Sequence, residues 1–227
     1  MPSFQDFYFQ SSTGRTSIHA LKCVPDGKPR AVVQIAHGIA EHIDRYRPFM
    51  EFLADNGFVA AGNDHLGHGK SIRVPEEQGF FAEKDGWWRV VDDMDKLHDI
   101  MANEYPELPY VLFGHSMGSF LTRTYLIKHP DKYDGVILSG TGHQSPALVL
   151  GGNAAASVMA RLNGAMGDGA KLDSLAFGTY LNKIENPRTK FDWLSRDAEQ
   201  VDKYIADPLC GFVGKIGLYR DMMQGIK

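Results

Sequence analysis

The sequence predicts an α/β fold in which a mainly parallel sheet carries helices on both faces and is followed by a helical cap. Three observations point there. Strand-like and helix-like segments alternate through residues 1–140. The central strand candidates are short, nearly unbroken apolar runs, the pattern of strands buried on both faces. After Gly140 no strand pattern recurs, and 141–227 reads as helices and loops. The expected division is therefore a sheet core over 1–140 and a helical cap, or lid, over 141–227.

Residues 4–10 and 16–24 read as two strands joined by Ser-Ser-Thr-Gly, an antiparallel hairpin. AVVQIA at 31–36 is a buried strand. Residues 45–56 read as a helix, with Phe49, Phe52 and Leu53 on one side and Asn56-Gly57 as its stop. Phe58 to Gly62 is the next strand. Residues 86–104 carry Val90, Met94, Leu97 and Met101 at helical spacing, and Pro106 follows. Tyr110 to Phe113 is a strand, 117–129 a helix ended before Pro130, and Val136 to Leu138 a further strand. This order favours parallel pairing, since each helix crosses back over the sheet. In the cap, 150–170 is rich in Gly, Ala and Met. Residues 174–182, 197–206 and 213–224 read as helices, with Ser195 as the expected cap of the second.

Composition narrows the function classes. Hydrophobic residues make up 43% and charged residues 23% of the 227, as in an ordinary globular chain. With 24 Lys plus Arg against 28 Asp plus Glu, the net charge is −4, which argues against a nucleic-acid partner. No apolar run approaches the roughly 20 residues that span a bilayer. The first residues lack the basic and apolar regions of a secretory signal. Cys23 and Cys210, far apart, make neither a disulfide framework nor a zinc motif. Reduced cysteines and a cytoplasmic protein are the expectation.

The most informative motif is Gly114-His115-Ser116-Met117-Gly118, of the form G-x-S-x-G. It is weak alone but here lies between a strand and a helix, where a nucleophilic serine would stand on a sharp turn. Small residues at Gly114 and Gly118 let that turn close. The helix start aims free N–H groups at developing negative charge. Upstream, His37-Gly38-Ile39-Ala40 follows the strand 31–36. The N–H groups of Ile39 and Met117 together would form an oxyanion hole; an ordinary strand-to-helix turn is the alternative. Asp64-His65-Leu66-Gly67-His68-Gly69-Lys70-Ser71 follows 58–62. With no metal-ligand spacing among them, His37, His65 and His68 are expected to hold loops by hydrogen bonds. No metal or organic cofactor is expected.

These motifs together resemble the α/β-hydrolase superfamily, and within it the monoacylglycerol lipase and lysophospholipase branch of serine aminopeptidase-like hydrolases. The resemblance rests on HGIAEHIDRY at 37–46, DHLGHGKS at 64–71, GHSMG at 114–118, LSGTG at 138–142 and FDWLSRDAEQVDKYIADPLCGF at 191–212. It implies an α/β-hydrolase fold, Ser116 as nucleophile, and Ile39 and Met117 as oxyanion donors supported by His37, Gly38, Gly114, His115 and Gly118. It implies a cap over an acyl-binding cleft, and hydrolysis of single-acyl-chain lipid esters through an acyl-serine intermediate. Two other readings stay open: a binding protein that keeps the cleft without the chemistry, and a thioesterase, aminopeptidase or perhydrolase on the same scaffold.

A serine nucleophile needs a histidine base and an orienting carboxylate, in chain order Ser, Asp or Glu, His. After Ser116 only His129 and His143 follow. His129 sits at the far helix end, roughly 20 Å away at 1.5 Å per residue. No acid-bearing strand precedes His143. The acid and histidine are expected beyond Lys227, on two further strand-plus-helix units of roughly 60–90 residues. The 227 residues alone would then be inactive. A natural truncated relative, or His37, His65 or His143 as an unorthodox base, are the alternatives. An open sheet edge would favour self-association. Met159, Met166, Met222 and Met223 suit an adaptable cleft lining. Phe177, Phe191, Trp193 and Phe212 would line an acyl tunnel or, by the more ordinary reading, pack the cap core. A cap with an apolar rim could rest transiently on a membrane surface.

Overall fold

Six strands form one sheet in the order β1-β2-β4-β3-β5-β6. The computed structural model describes all residues, Met1–Lys227. β1 (Ser3–Gln10) and β2 (Ser17–Val24) form the antiparallel hairpin, and β2 pairs antiparallel with β4 (Phe58–Asn63). From there the sheet is parallel through β3 (Ala31–Ala36), β5 (Tyr110–His115) and β6 (Gly135–Ser139). The predicted mainly parallel α/β sheet is thus observed.

Both faces are covered, which explains the continuous apolar runs. Alternate residues point to opposite sides. Leu21, Ile35 and Ala60 pack with Met50 and Ala54 of α1 (Arg47–Asp55). Ala20, Val32 and Val59 pack with Leu97 and Met101 of α2 (Gly86–Glu104) on the other side. All four residues that marked the α2 periodicity are buried. α3 (Met117–Lys128) lies beside α2 and contributes Leu121 and Tyr125 to the same layer.

The helix expected over 45–56 starts as a 3-10 turn at Ile43–Tyr46 and becomes α-helical only from Arg47, with Pro48 in its first turn, where no N–H is needed. The cap region holds α4 (Pro146–Asn163), α5 (Ala170–Phe177), α6 (Ala198–Ala206) and α7 (Ile216–Ile226). The segment expected as a helix over 174–182 divides into α5 and a 3-10 turn at Tyr180–Lys183. α6 is capped by Asp197, which accepts the Glu199 N–H, and not by Ser195. The Ser195 hydroxyl instead accepts the Asp197 N–H, one step upstream. The largest apolar cluster crosses residue 140: Ile216, Leu218 and Met222 of α7 pack with Trp87, Met94 and Leu121. No helix is long and apolar enough to cross a membrane.

Candidate active site

Strand order brings the two key turns together. β3 lies directly beside β5, with Ala36 opposite Gly114. β4 pairs on the other side of β3, so the connections diverge here, where open α/β sheets form a crevice at their strand ends. The turn after β3 carries Gly38 and Ile39; the turn after β5 carries Ser116.

Ser116 stands at φ 51°, ψ −119°, a region a non-glycine residue rarely enters. The surroundings hold it there. Its N–H donates to the Ser139 carbonyl of β6 at 2.9 Å, and its carbonyl accepts from the Ser119 N–H and hydroxyl. The flanking glycines are steric necessities. A Cβ on Gly118 would lie 2.0 Å from the Ala36 carbonyl oxygen, and one on Gly114 would lie 2.3 Å from Thr122 Oγ1. Both distances are far inside van der Waals contact, so only glycine lets α3 start this close to β3. Met117 is buried as the first residue of α3, where an N–H has no intrahelical acceptor.

The facing turn is pinned at each peptide. A Cβ on Gly38 would be 3.2 Å from Ser116 Cβ, which measures how near the two turns run. The Gly38 N–H donates to Glu41 Oε1 at 2.6 Å, and Glu41 is buried with Tyr46 and Arg45 as its other donors. His37 Nε2 accepts the His65 N–H, which places the ring proton on Nδ1, 2.7 Å from the Gly38 carbonyl. Fixing that carbonyl fixes the planar peptide, and so the direction of the Ile39 N–H on its opposite edge. Ala40, at φ 52°, accepts from both the Tyr204 hydroxyl and the Gly211 N–H of the cap.

His65 Nε2 lies 3.2 Å from the His37 carbonyl, and His68 Nδ1 3.0 Å from the Leu66 carbonyl. Complete burial holds all three imidazoles neutral: His37 is lowered well below its ordinary value, His65 to about 3 and His68 to about 4. Their ring nitrogens reach backbone groups of the loops that carry them. His37 has both ring nitrogens engaged, and neither it nor His65 lines the cavity at Ser116. His143 is exposed in the loop before α4. His115 reaches sideways to Ser139 Oγ at 3.3 Å and is the one imidazole in that cavity's lining. No imidazole hydrogen-bonds the Ser116 hydroxyl. Asp64 ties the second motif to the first, accepting the Ile43 N–H, the Lys70 N–H and a contact from His19 Nδ1.

Above Ser116 lies a cavity of about 430 Å³ between sheet and cap. Phe177, Phe191, Trp193 and Phe212 all line it, so lining and packing, set out as alternatives, coexist in the same side chains. Each also packs: Phe177 stacks on Trp193 at 6.1 Å, and Phe191 meets Tyr204 edge-on. The methionines do the reverse of what was expected. Met159, Met222 and Met223 fill the interior between α4, α7 and α2–α3, because those helices turn their methionine-bearing sides to one another. Met166 borders a separate cavity near Arg73 and Arg89.

Two residues central to this geometry were not foreseen. Glu41 lay within the quoted HGIAEHIDRY, whose spacing alone gave it no role. Tyr204 had no local signal, because it meets Ala40 across 164 residues.

A profile of the serine aminopeptidase S33 family matches residues 27–227. The monoacylglycerol lipase of Mycolicibacterium smegmatis is 32% identical over 190 residues, covering 82% of this chain and 58% of that protein. The human monoglyceride lipase is 30% identical over 185 residues, covering 82% and 54%. The chain thus spans about half the length of the curated relatives it matches. Among solved structures, a thermostable carboxyl esterase from Bacillus coagulans superposes with a TM-score of 0.90 at 32% identity, covering 99% of this chain and 73% of that one. A yeast monoglyceride lipase in complex with a substrate analogue shares the fold, with a TM-score of 0.70 at 18% identity, covering 100% and 68%.

Proposed function

Because this chain belongs to the serine aminopeptidase S33 family and has its α/β-hydrolase fold, we propose that it carries the nucleophile and acyl site of a serine carboxylic ester hydrolase acting on monoacylglycerols or lysophospholipids. One observation carries this reading: Ser116 is held at φ 51° beside the pinned Gly38–Ile39 turn, under a cavity lined by cap aromatics. The cavity is sized for one acyl chain, and the matched lipases are named for single-chain glycerides.

In the proposed mechanism Ser116 Oγ attacks the ester carbonyl. The oxyanion is received by the Ile39 and Met117 N–H groups, and an acyl-serine forms as the alcohol departs. Water then releases the fatty acid. This mechanism needs a histidine to move the proton and a carboxylate to orient it, and no imidazole among residues 1–227 hydrogen-bonds the Ser116 hydroxyl. The 227 residues alone are therefore expected to be silent. The cap supplies the lipid side: Leu148, Leu162 and Leu175 of its helices are exposed, suited to a transient membrane contact.

The test compares monoacylglycerol hydrolysis and fluorophosphonate labelling by the 227-residue chain and by the product of its uninterrupted reading frame, each with Ser116→Ala. Hydrolysis by the longer product that vanishes in Ser116→Ala, with no labelling of the shorter chain, is the expected result. Hydrolysis that survives Ser116→Ala would remove the serine from the reaction. Turnover of thioesters or aminoacyl amides in place of glycerides would move the substrate class.

A further inference from the structure

We infer that His42, Asp207 and Cys210 form a binding site for a thiophilic divalent cation, zinc by its ligand chemistry, that ties the cap to the turn bearing Ile39. The three residues come from both sides of the cleft. His42 follows the Gly38–Ala40 turn, Asp207 ends α6, and Cys210 lies three residues further on. One ligand atom from each lies within 4.8 Å of the other two, and His42 Nε2 is 2.8 Å from Asp207 Oδ2. Around tetrahedral zinc, bonds of about 2.0–2.3 Å place ligand atoms roughly 3.3–3.8 Å apart. His42 and Asp207 would separate by about half an ångström, and the sulfur would draw in by no more than about 1.5 Å.

The donor set favours this ion class. One imidazole nitrogen, one carboxylate oxygen and one thiolate suit zinc, and three protein ligands leave a fourth position for water. The carboxylate is already oriented, since Asp207 Oδ1 accepts the Leu209 N–H at 2.9 Å. The neighbouring cation, Arg45, is paired with Glu41. The other cluster of comparable residues, Asp95, His98 and Asp99, lacks sulfur, and Lys132 Nζ already sits 2.6 and 2.8 Å from its two carboxylates. No sequence spacing marks this cluster, because 165 positions separate His42 from Asp207.

Binding conserves protons in a simple way. In the metal-free protein, burial and the Asp207 carboxylate push the Cys210 thiol up to about 12. Coordination replaces that proton with the cation and releases it to solvent. In the metal-free protein His42 Nε2 donates to the Asp207 carboxylate; on binding, Nε2 gives up that proton, the ring takes one on Nδ1 so that it stays neutral, and the hydrogen bond gives way to a shared ion. The cation adds a third link beside the Tyr204 and Gly211 bonds to Ala40.

The experiment titrates the metal-free 227-residue chain with Co²⁺ and then Zn²⁺. The expected result is one equivalent of cobalt, a near-ultraviolet sulfur-to-cobalt charge-transfer absorption, and displacement by zinc. Cys210→Ala should abolish that absorption, and His42→Gln should weaken zinc at least as much as the ~10–100-fold lost with outer-sphere partners. In the unaltered chain, saturating zinc should slow alkylation of Cys210 by iodoacetamide about tenfold or more, which needs no variant to fold. Absence of the absorption, zinc affinity unchanged in Cys210→Ala, or unprotected alkylation would each overturn the assignment. Cobalt bound without sulfur character and lost in Asp99→Asn would place the ion at the other cluster, and would overturn it too.

Discussion

The Tyr204 hydroxyl donates to the Ala40 carbonyl at 2.8 Å, joining α6 of the cap to the turn that also presents the Ile39 N–H. Ala40 sits at φ 52°, which an alanine holds only under constraint. The Gly211 N–H supplies the second donor at 3.0 Å. Cap position and turn geometry are thus coupled through one carbonyl oxygen.

Tyr204→Phe keeps the ring against Arg45 and Phe191 and deletes only that donor. A loss of about 1 kcal/mol in chemical denaturation is expected, with the carbonyl still held by Gly211. Hydrogen–deuterium exchange should speed up over residues 38–42 and stay unchanged in β1. Unchanged exchange in the turn would show that the cap does not hold it.

Ser116→Gly should stabilise the chain. The native φ of 51° with ψ −119° is strained for serine and open to glycine. Relief of strain should exceed the entropy glycine adds to the unfolded chain, for a net gain of about 1 kcal/mol read as a raised Tm. A lower Tm would mean that the serine side chain contributes packing the strain argument leaves out.

Gly118→Ala should do the opposite. Its Cβ would meet the backbone of Ala36 and His37, at 2.0 and 2.6 Å from their carbonyl oxygens, and neither can swing aside. Overpacking of this kind costs about 1–3 kcal/mol, and the loss should appear in denaturation midpoints. The same change at Gly151, whose Cβ would meet nothing within 4 Å, serves as the control and should leave stability near or slightly above the starting value.

Acid should weaken the fold through the buried imidazoles. His65 and His68 titrate near 6.5 when unfolded but are lowered to about 3 and about 4 by burial in the native chain. Between those values the unfolded state binds more protons, so stability is full above pH 6.5 and falls as pH drops toward 4. His68→Gln removes one of these groups. It should flatten the stability–pH slope over that window, by an amount on the order of 3 kcal/mol across the full range. An unchanged slope would place the acid sensitivity elsewhere.

Much of the fold was legible because its signals are local. The 86–104 helix was readable from four apolar residues at helical spacing, and Val32 and Ile35 marked a strand buried on both faces. G-x-S-x-G between strand and helix singled out Ser116, since the two glycines answer to contacts within and beside the elbow. Helix ends were less legible: Asp197 displaced Ser195 as a cap because either side chain can accept an N–H, and only the backbone path decides which. Whether the cap aromatics pack or line a cavity was not legible, because the two look alike in sequence and these side chains do both.

The sequence by itself determined the alternation of elements and the sharp glycine-flanked turn at Ser116, both matters of periodicity and near-neighbour stereochemistry. Tertiary structure alone decided what stands around Ser116. It set β3 against β5, so that Gly38 faces the serine. It brought Tyr204, Gly211 and Asp207 onto a turn some 165 residues earlier. It also turned the methionines inward and the aromatics toward the cleft. Such contacts follow from how whole layers pack, and no short stretch of residues encodes a distance to a partner that only the finished fold brings near.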